Sequence, residues 1–264
     1  ERPDDAFLSE YLDAAREDFD VIKHNPDEIV AGSNSIYLKL LSLVRGGTST
    51  NQNFEDVKNY LDIPAFIDYM ILNFYLGNQD WAHQNYYAAK NRSSRTGFRF
   101  YSWDSELVMR FSDVNYNNTL KNDEGGPTEI HTLLKENEEY RVILGDAVYK
   151  HLFNNGVLTP PNFEKNFRFR ANEIEQAIIL ESARWGDYRK EDTNVTYTKN
   201  DYWLPEVNKV LDEYIPKRRD IVIDQLRDNE NKLFPKYMPP IIDAEEKAGG
   251  EKEIMLKNSN PKPG

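Results

Sequence analysis

The chain has 264 residues, 39% hydrophobic and 12% aromatic, enough apolar mass for a packed interior, which excludes wholesale disorder. A formal net charge of −12 argues against nucleic acid or an anionic membrane surface as a partner, because phosphates are repelled. With no cysteine there are neither disulfides nor thiolate metal sites, and no run approaches the roughly 18 apolar residues that membrane insertion needs.

Residues 1–62 read as irregular at first and then helical. Residues 34–45 have helical apolar spacing that Gly46 and Gly47 close, and 53–61 read as a second short helix. Residues 63–76 carry Pro64 near the start, with Phe66, Ile67, Met70, Ile71, Phe74 and Tyr75 at helical spacing. This predicts a buried helix, with Gly77 placed to stop it. Residues 85–90 and 98–103 are rich in aromatics, and 91–97 between them is turn chemistry, which predicts a β-hairpin. A long polar loop follows from Glu106 to about Pro127. Residues 128–154 are predicted mostly helical, capped by Thr128 and closed by Gly156. Thr159-Pro160-Pro161-Asn162 opens another helix to about Trp185. Residues 202–227 give a last helical stretch, broken near Ile215-Pro216. The expected fold class is α+β, mostly helical, with strands only around the hairpin. Beyond Leu233 the pattern changes. Residues 234–240 read as a linker, and 248–257 as a turn and an edge strand too short to fold alone, disordered or loosely packed.

The loop and hairpin after the buried helix hold the chemistry. Asp80 is followed five residues later by Asn85, and Asp104 lies beyond the tight turn. Protein kinases use that order of groups: one Asp orients the attacking hydroxyl, an Asn five residues on helps hold magnesium, and a further Asp grips the metal. The spacing alone arises by chance in most chains of this length; helix, loop and hairpin around it supply the context. Asp80 also suits a plain turn, and Asn85 a strand start. Asp104 sits among aromatics at a strand end, where a buried carboxylate needs a cation or hydrogen bonds. Glu106 is an accessory ligand or structural, His83 is solvated or bonded to backbone, and Trp103, Tyr86 and Tyr87 pack the hairpin. Separately, Asp113, Asn115, Asn117, Asn118 and Glu124 follow the spacing of a calcium loop, with Asn118 in the glycine position.

At Gly77-Asn78-Gln79-Asp80, Asn85-Tyr86-Tyr87 and Trp103-Asp104-Ser105-Glu106 the chain resembles the CotH family, the spore-coat-protein-H-like atypical kinases. Segments at residues 1–4, 18–23, 97–100, 181–187 and 233–235 extend the resemblance over residues 1–237. It implies the large, C-terminal lobe of an atypical protein-kinase-like fold, with a linker and the start of a truncated β-domain over 238–264. It implies transfer of the γ-phosphate of ATP to Ser or Thr of a protein, with Mg2+ or Mn2+. Asp80 would be catalytic, and Asp104, Asn85 and Glu106 metal-binding. An extracytoplasmic or cell-surface location goes with it. The usual His-Arg-Asp is replaced by Asn78-Gln79-Asp80 and Asp-Phe-Gly by Asp104-Ser105-Glu106. No Gly-rich phosphate loop or strand lysine is found, and Glu1 is expected near the hinge of a small lobe that lies upstream. Two other readings stay open: a non-catalytic surface module that keeps the fold, and a glycoside hydrolase using Asp80 with Asp104 or Glu106.

Overall fold

A computed structural model describes residues 2–228, 233–235, 241–246 and 252–257. The fold is α+β and 55% helical, with a four-stranded antiparallel sheet. The N-terminal region is less irregular than its sequence suggests. It forms helix α1 (Asp5–Leu12), strand β1 (Phe19–Lys23) and strand β2 (Ile29–Ala31) before α2 (Ser35–Arg45) and α3 (Asn51–Lys58). The expected hairpin forms as β3 (Tyr86–Asn91) and β4 (Arg99–Ser102). It is not isolated, because β1 pairs along β3 and the sheet order is β2-β1-β3-β4.

The sheet is covered on both faces. Alternation along the strands sends Ile22, Tyr86, Ala88 and Phe100 into the main core, and Phe19, Val21, Tyr87 and Ala89 into a smaller one closed by Leu8 of α1. That explains why β1 lacks the polar alternation of a half-exposed strand. Its one acidic residue, Asp20, is buried, and its Oδ1 accepts from both the Arg92 guanidinium and the Ser33 N–H.

Helix α4 (Ile63–Leu76) is the centre of the molecule, with nine residues from Ile63 to Tyr75 buried. Asp62 caps its N-terminus by accepting from the Ala65 N–H (3.2 Å) and also receives Arg99 Nε (2.8 Å), which ties the helix start to β4. At the other end Gly77 takes the left-handed conformation, φ 57°, as a helix stop requires. Tyr69 and Phe66 of α4 pack against Phe100, so helix and hairpin share one aromatic cluster.

Two helices expected to be continuous are broken. Residues 128–154 divide into α5 (Pro127–Leu134) and α6 (Glu138–Leu152). Asn137 makes the break: its side chain accepts from the Tyr140 N–H (3.1 Å) and donates to the Thr48 carbonyl (2.9 Å). Thr128 is not the cap; its hydroxyl serves Asp123 in the preceding loop. Downstream, the stretch to Trp185 divides into α7 (Pro160–Ile174) and α8 (Ala177–Trp185), followed by α9 (Lys190–Thr193). The last stretch contains π-helical turns at Lys199–Trp203 and Val210–Tyr214, flanking α10 (Leu204–Lys209) and preceding α11 (Ile215–Arg227). Pro216 stands in the first turn of α11, where it continues the helical path rather than breaking it. In the tail, β5 (Ile241–Glu246) and β6 (Lys252–Lys257) pair antiparallel, so the expected edge strand has a partner; the residues read as a linker from 236 to 240, and the expected turn at 248–250, lie outside the described residues. No helix among the described residues is long and apolar enough to cross a membrane.

Candidate active site

The loop leaving α4 is fixed from below by asparagines. Asn78 Nδ2 donates to Asn73 Oδ1 (3.0 Å), and Asn78 Oδ1 accepts from the Asp80 N–H (3.2 Å). Asn118, fully buried, donates from one amide to the carbonyls of both Asn73 (2.9 Å) and Asn78 (3.0 Å). Trp81 and Ala82 then turn inward into the core, which leaves Asp80 at the surface of the loop with its side chain one-fifth exposed. We expect Asn118→Ala to cost about 1–2 kcal/mol, since the buried Asn78 carbonyl loses its side-chain donor while the Asn73 carbonyl keeps the Asn78 N–H. Urea unfolding checks it; an unchanged midpoint would remove Asn118 from this account.

Both carboxylate oxygens of Asp80 are held. Gln84 Nε2 donates to Oδ1 (2.6 Å) and Asn85 Nδ2 to Oδ2 (3.1 Å). His83, expected to be solvated, is half exposed, with Nε2 3.3 Å from Asp80 Oδ1. Asn85 is buried, and its backbone carbonyl accepts from the Trp103 N–H (3.2 Å), which brings Asp104 alongside. The structure thus brings Asp80 and Asn85 together and sets Asp104 next to them. Asp104 is exposed, not the buried carboxylate its aromatic neighbours suggested. A left-handed turn at Asp104, φ 52°, carries it off the sheet while Trp103 packs against Tyr87. Glu106 is also exposed, and among the described residues no hydrogen bond ties it to the cluster.

Three neighbouring strand ends share one unusual backbone state. His24 after β1 (φ 61°), Asn85 before β3 (φ 56°) and Asp104 after β4 (φ 52°) are all left-handed. For residues with a Cβ this costs about 1 kcal/mol or more each, and such residues gather where function demands an odd backbone path. His24 was not legible as a site residue, because the strand that delivers it was itself unread. Its N–H donates to the Tyr86 carbonyl (3.0 Å), and its Nδ1 lies 3.7 Å from Glu28 Oε2. Burial pushes the His24 imidazole below its ordinary pKa, aided by Lys23, while Glu28, Asp104 and Asp80 pull the other way. His24 therefore shares the field of both aspartates.

The oxygen donors of Asp104, Asn85 and Glu106 suit a hard divalent cation. Among the described residues no group of three or more His, Cys, Asp or Glu is arranged as a metal cage. The calcium-like stretch is engaged otherwise. Asp113 accepts from Gln79 Nε2 (2.9 Å), Asn117 Oδ1 accepts from Thr119, Asn118 lies buried under the loop without a left-handed φ, and Glu124 points to solvent.

A family model described as CotH kinase protein matches residues 9–222 of the chain. No curated protein matches it.

Proposed function

The chain belongs to the CotH kinase family, and from that membership we propose that it is the catalytic domain of an atypical kinase that moves the γ-phosphate of ATP to a Ser or Thr hydroxyl of a protein. The observation that carries the reading is the grip on Asp80: Gln84 and Asn85 each hold one of its carboxylate oxygens, one strand end away from Asp104. A carboxylate fixed in that way is set to orient the attacking hydroxyl and to accept its proton as the bond to phosphorus forms. Asn85 turns its Nδ2 to Asp80, leaving Oδ1 for a cation; Asp104, with Glu106 beyond it, presents carboxylate oxygens at the exposed rim. Magnesium or manganese bound there supplies neutralisation of the triphosphate charge. The protein's share is positioning and electrostatics, the usual division in phosphoryl transfer.

Thermal unfolding of the full-length protein with magnesium and a non-hydrolysable ATP analogue tests the binding half of this proposal. At a hundredfold excess over Kd, stabilisation of about 2.7 kcal/mol is expected. Asp104→Ala should lose that response while Asp80→Ala keeps it. No response to nucleotide with either metal would turn the reading to a non-catalytic module that keeps only the fold.

A further inference from the structure

The last turn of α4 is held by a cation that has no acidic partner among the described residues. Arg218 of α11 is fully buried, and among the described residues it forms no ion pair with a carboxylate. Its guanidinium donates instead to three carbonyls: Nε to Tyr75 (2.9 Å), Nη2 to Phe74 (2.6 Å) and Nη1 to Val114 (2.6 Å). Tyr214, one turn earlier, donates its hydroxyl to the same Tyr75 carbonyl (2.8 Å). A Cβ on Gly77 would stand 3.2 Å from that hydroxyl and 3.5 Å from Arg218 Nη2, so the helix stop is seated directly on this pair.

The carbonyls matter because of where they lie. Phe74 and Tyr75 lie in the last turn of α4, six and five residues before Asp80, while Val114 belongs to the segment that follows Asp104. One side chain therefore fastens together the two stretches that carry the candidate base and the candidate metal ligand. Gln225, further along α11, adds a bond to the Asn115 carbonyl (3.0 Å) on the same segment. The charge has a reason as well. A helix C-terminus is the negative end of its dipole, and α4 aims that end toward a site proposed to take a triphosphate. A buried arginine there offsets the wrong polarity, and its planar fork reaches three carbonyls in fixed directions. The π-helical turn at Val210–Tyr214, just before α11, belongs to the class of local rewinding often found at functional sites.

We propose that Arg218, assisted by Tyr214, is the positioning residue of the phosphotransfer site, setting Asp80 and the Asp104 segment at fixed height relative to each other. This rests on the kinase reading of the site. The test uses the full-length protein with Arg218→Met, Arg218→Lys and Tyr214→Phe, followed by hydrogen exchange and by steady-state kinetics. Exchange at residues 73–81 and 107–118 should quicken about tenfold or more in the Lys and Phe variants, with α6 unchanged. In Arg218→Met, kcat should fall about a hundredfold with KM for magnesium-ATP held within about threefold. Arg218→Lys, which keeps the charge but not the fork, should fall between Met and wild type. Unaltered exchange in the two segments of a folded variant overturns the proposal. So does exchange rising equally across α6, which would mean general stability alone. If the wild-type protein transfers no phosphate, the kinase reading falls, and the exchange pattern still decides whether Arg218 couples the two segments. If Met unfolds the protein, the Lys and Phe variants carry the decision.

Discussion

Acidification from about pH 8 to about pH 4 is expected to withdraw about 3 kcal/mol of folding free energy through His131 alone. His131 is fully buried against Phe74 of α4 and Tyr140 of α6, with Nδ1 2.7 Å from the Tyr140 hydroxyl and Nε2 without a partner among the described residues. Burial, with Lys135 adding to it, holds the imidazole at about 3, far below its ordinary 6.5. The sign follows from which state binds the proton. Between those two values the unfolded chain takes it up and the folded chain refuses it. Stability is therefore whole above about 6.5 and drains as pH falls toward about 3, at roughly 1.4 kcal/mol per pH unit. His131→Phe removes the titration and keeps a ring in the slot. Its own cost, a Tyr140 hydroxyl left unpaired, is about 1–3 kcal/mol and does not depend on pH in this range. Denaturant unfolding at both pH values should show the wild type losing about 3 kcal/mol more than the variant. Equal losses in the two proteins would show that His131 is not held neutral by the fold.

Trp81→Ala is expected to cost about 3–5 kcal/mol, the range for emptying a large buried aromatic site. Trp81 is 1% exposed although it sits in a loop, directly after Asp80. Its ring lies 5.7 Å from Tyr69 and 6.1 Å, edge on, from Phe74. It is thus the peg by which the loop enters the core shared by α4 and the hairpin. The indole Nε1 has no hydrogen-bond partner among the described residues, so Trp81→Phe forfeits packing but no bond seen there. That variant should lose less than half as much. Unfolding curves for the two decide it: equal losses would place the energy in something other than buried volume. Because Asp80 precedes the peg, the Ala variant should also lose any activity that depends on Asp80's position.

The sequence was most legible where local signals agreed. The all-round apolar run of α4, with Asp62 before it, Pro64 inside its first turn and Gly77 after it, gives one reading only. The hairpin followed from aromatic strands around a Ser- and Gly-bearing turn. β1 and β2 escaped because one has five residues with Asp20 as its second and the other three, too short for alternation to register. Asp20 is intelligible only once Arg92 is seen beside it, 72 residues on. The breaks between α5 and α6, and between α7 and α8, interrupt patterns that remain helical on either side, and tertiary bonds from Asn137 decide the first of them. At the site, Asp80 and Asn85 were legible as a spacing, and the fold joins them through a hydrogen bond. The exposure of Asp104 was not, since a left-handed turn outweighs the aromatic neighbours that suggested burial. Arg218 was beyond reach altogether: its partners stand 104 to 144 residues away, and they are backbone carbonyls, which carry no sequence signature.

The most direct test of the kinase reading is transfer of labelled γ-phosphate by the full-length protein, with magnesium, to a Ser- or Thr-bearing protein, compared with Asp80→Ala and Asp104→Ala. The account predicts label on protein in the wild type and a fall of at least about a hundredfold in each variant, the loss typical of removing a positioned acid–base group. Transfer that survives both substitutions would contradict it.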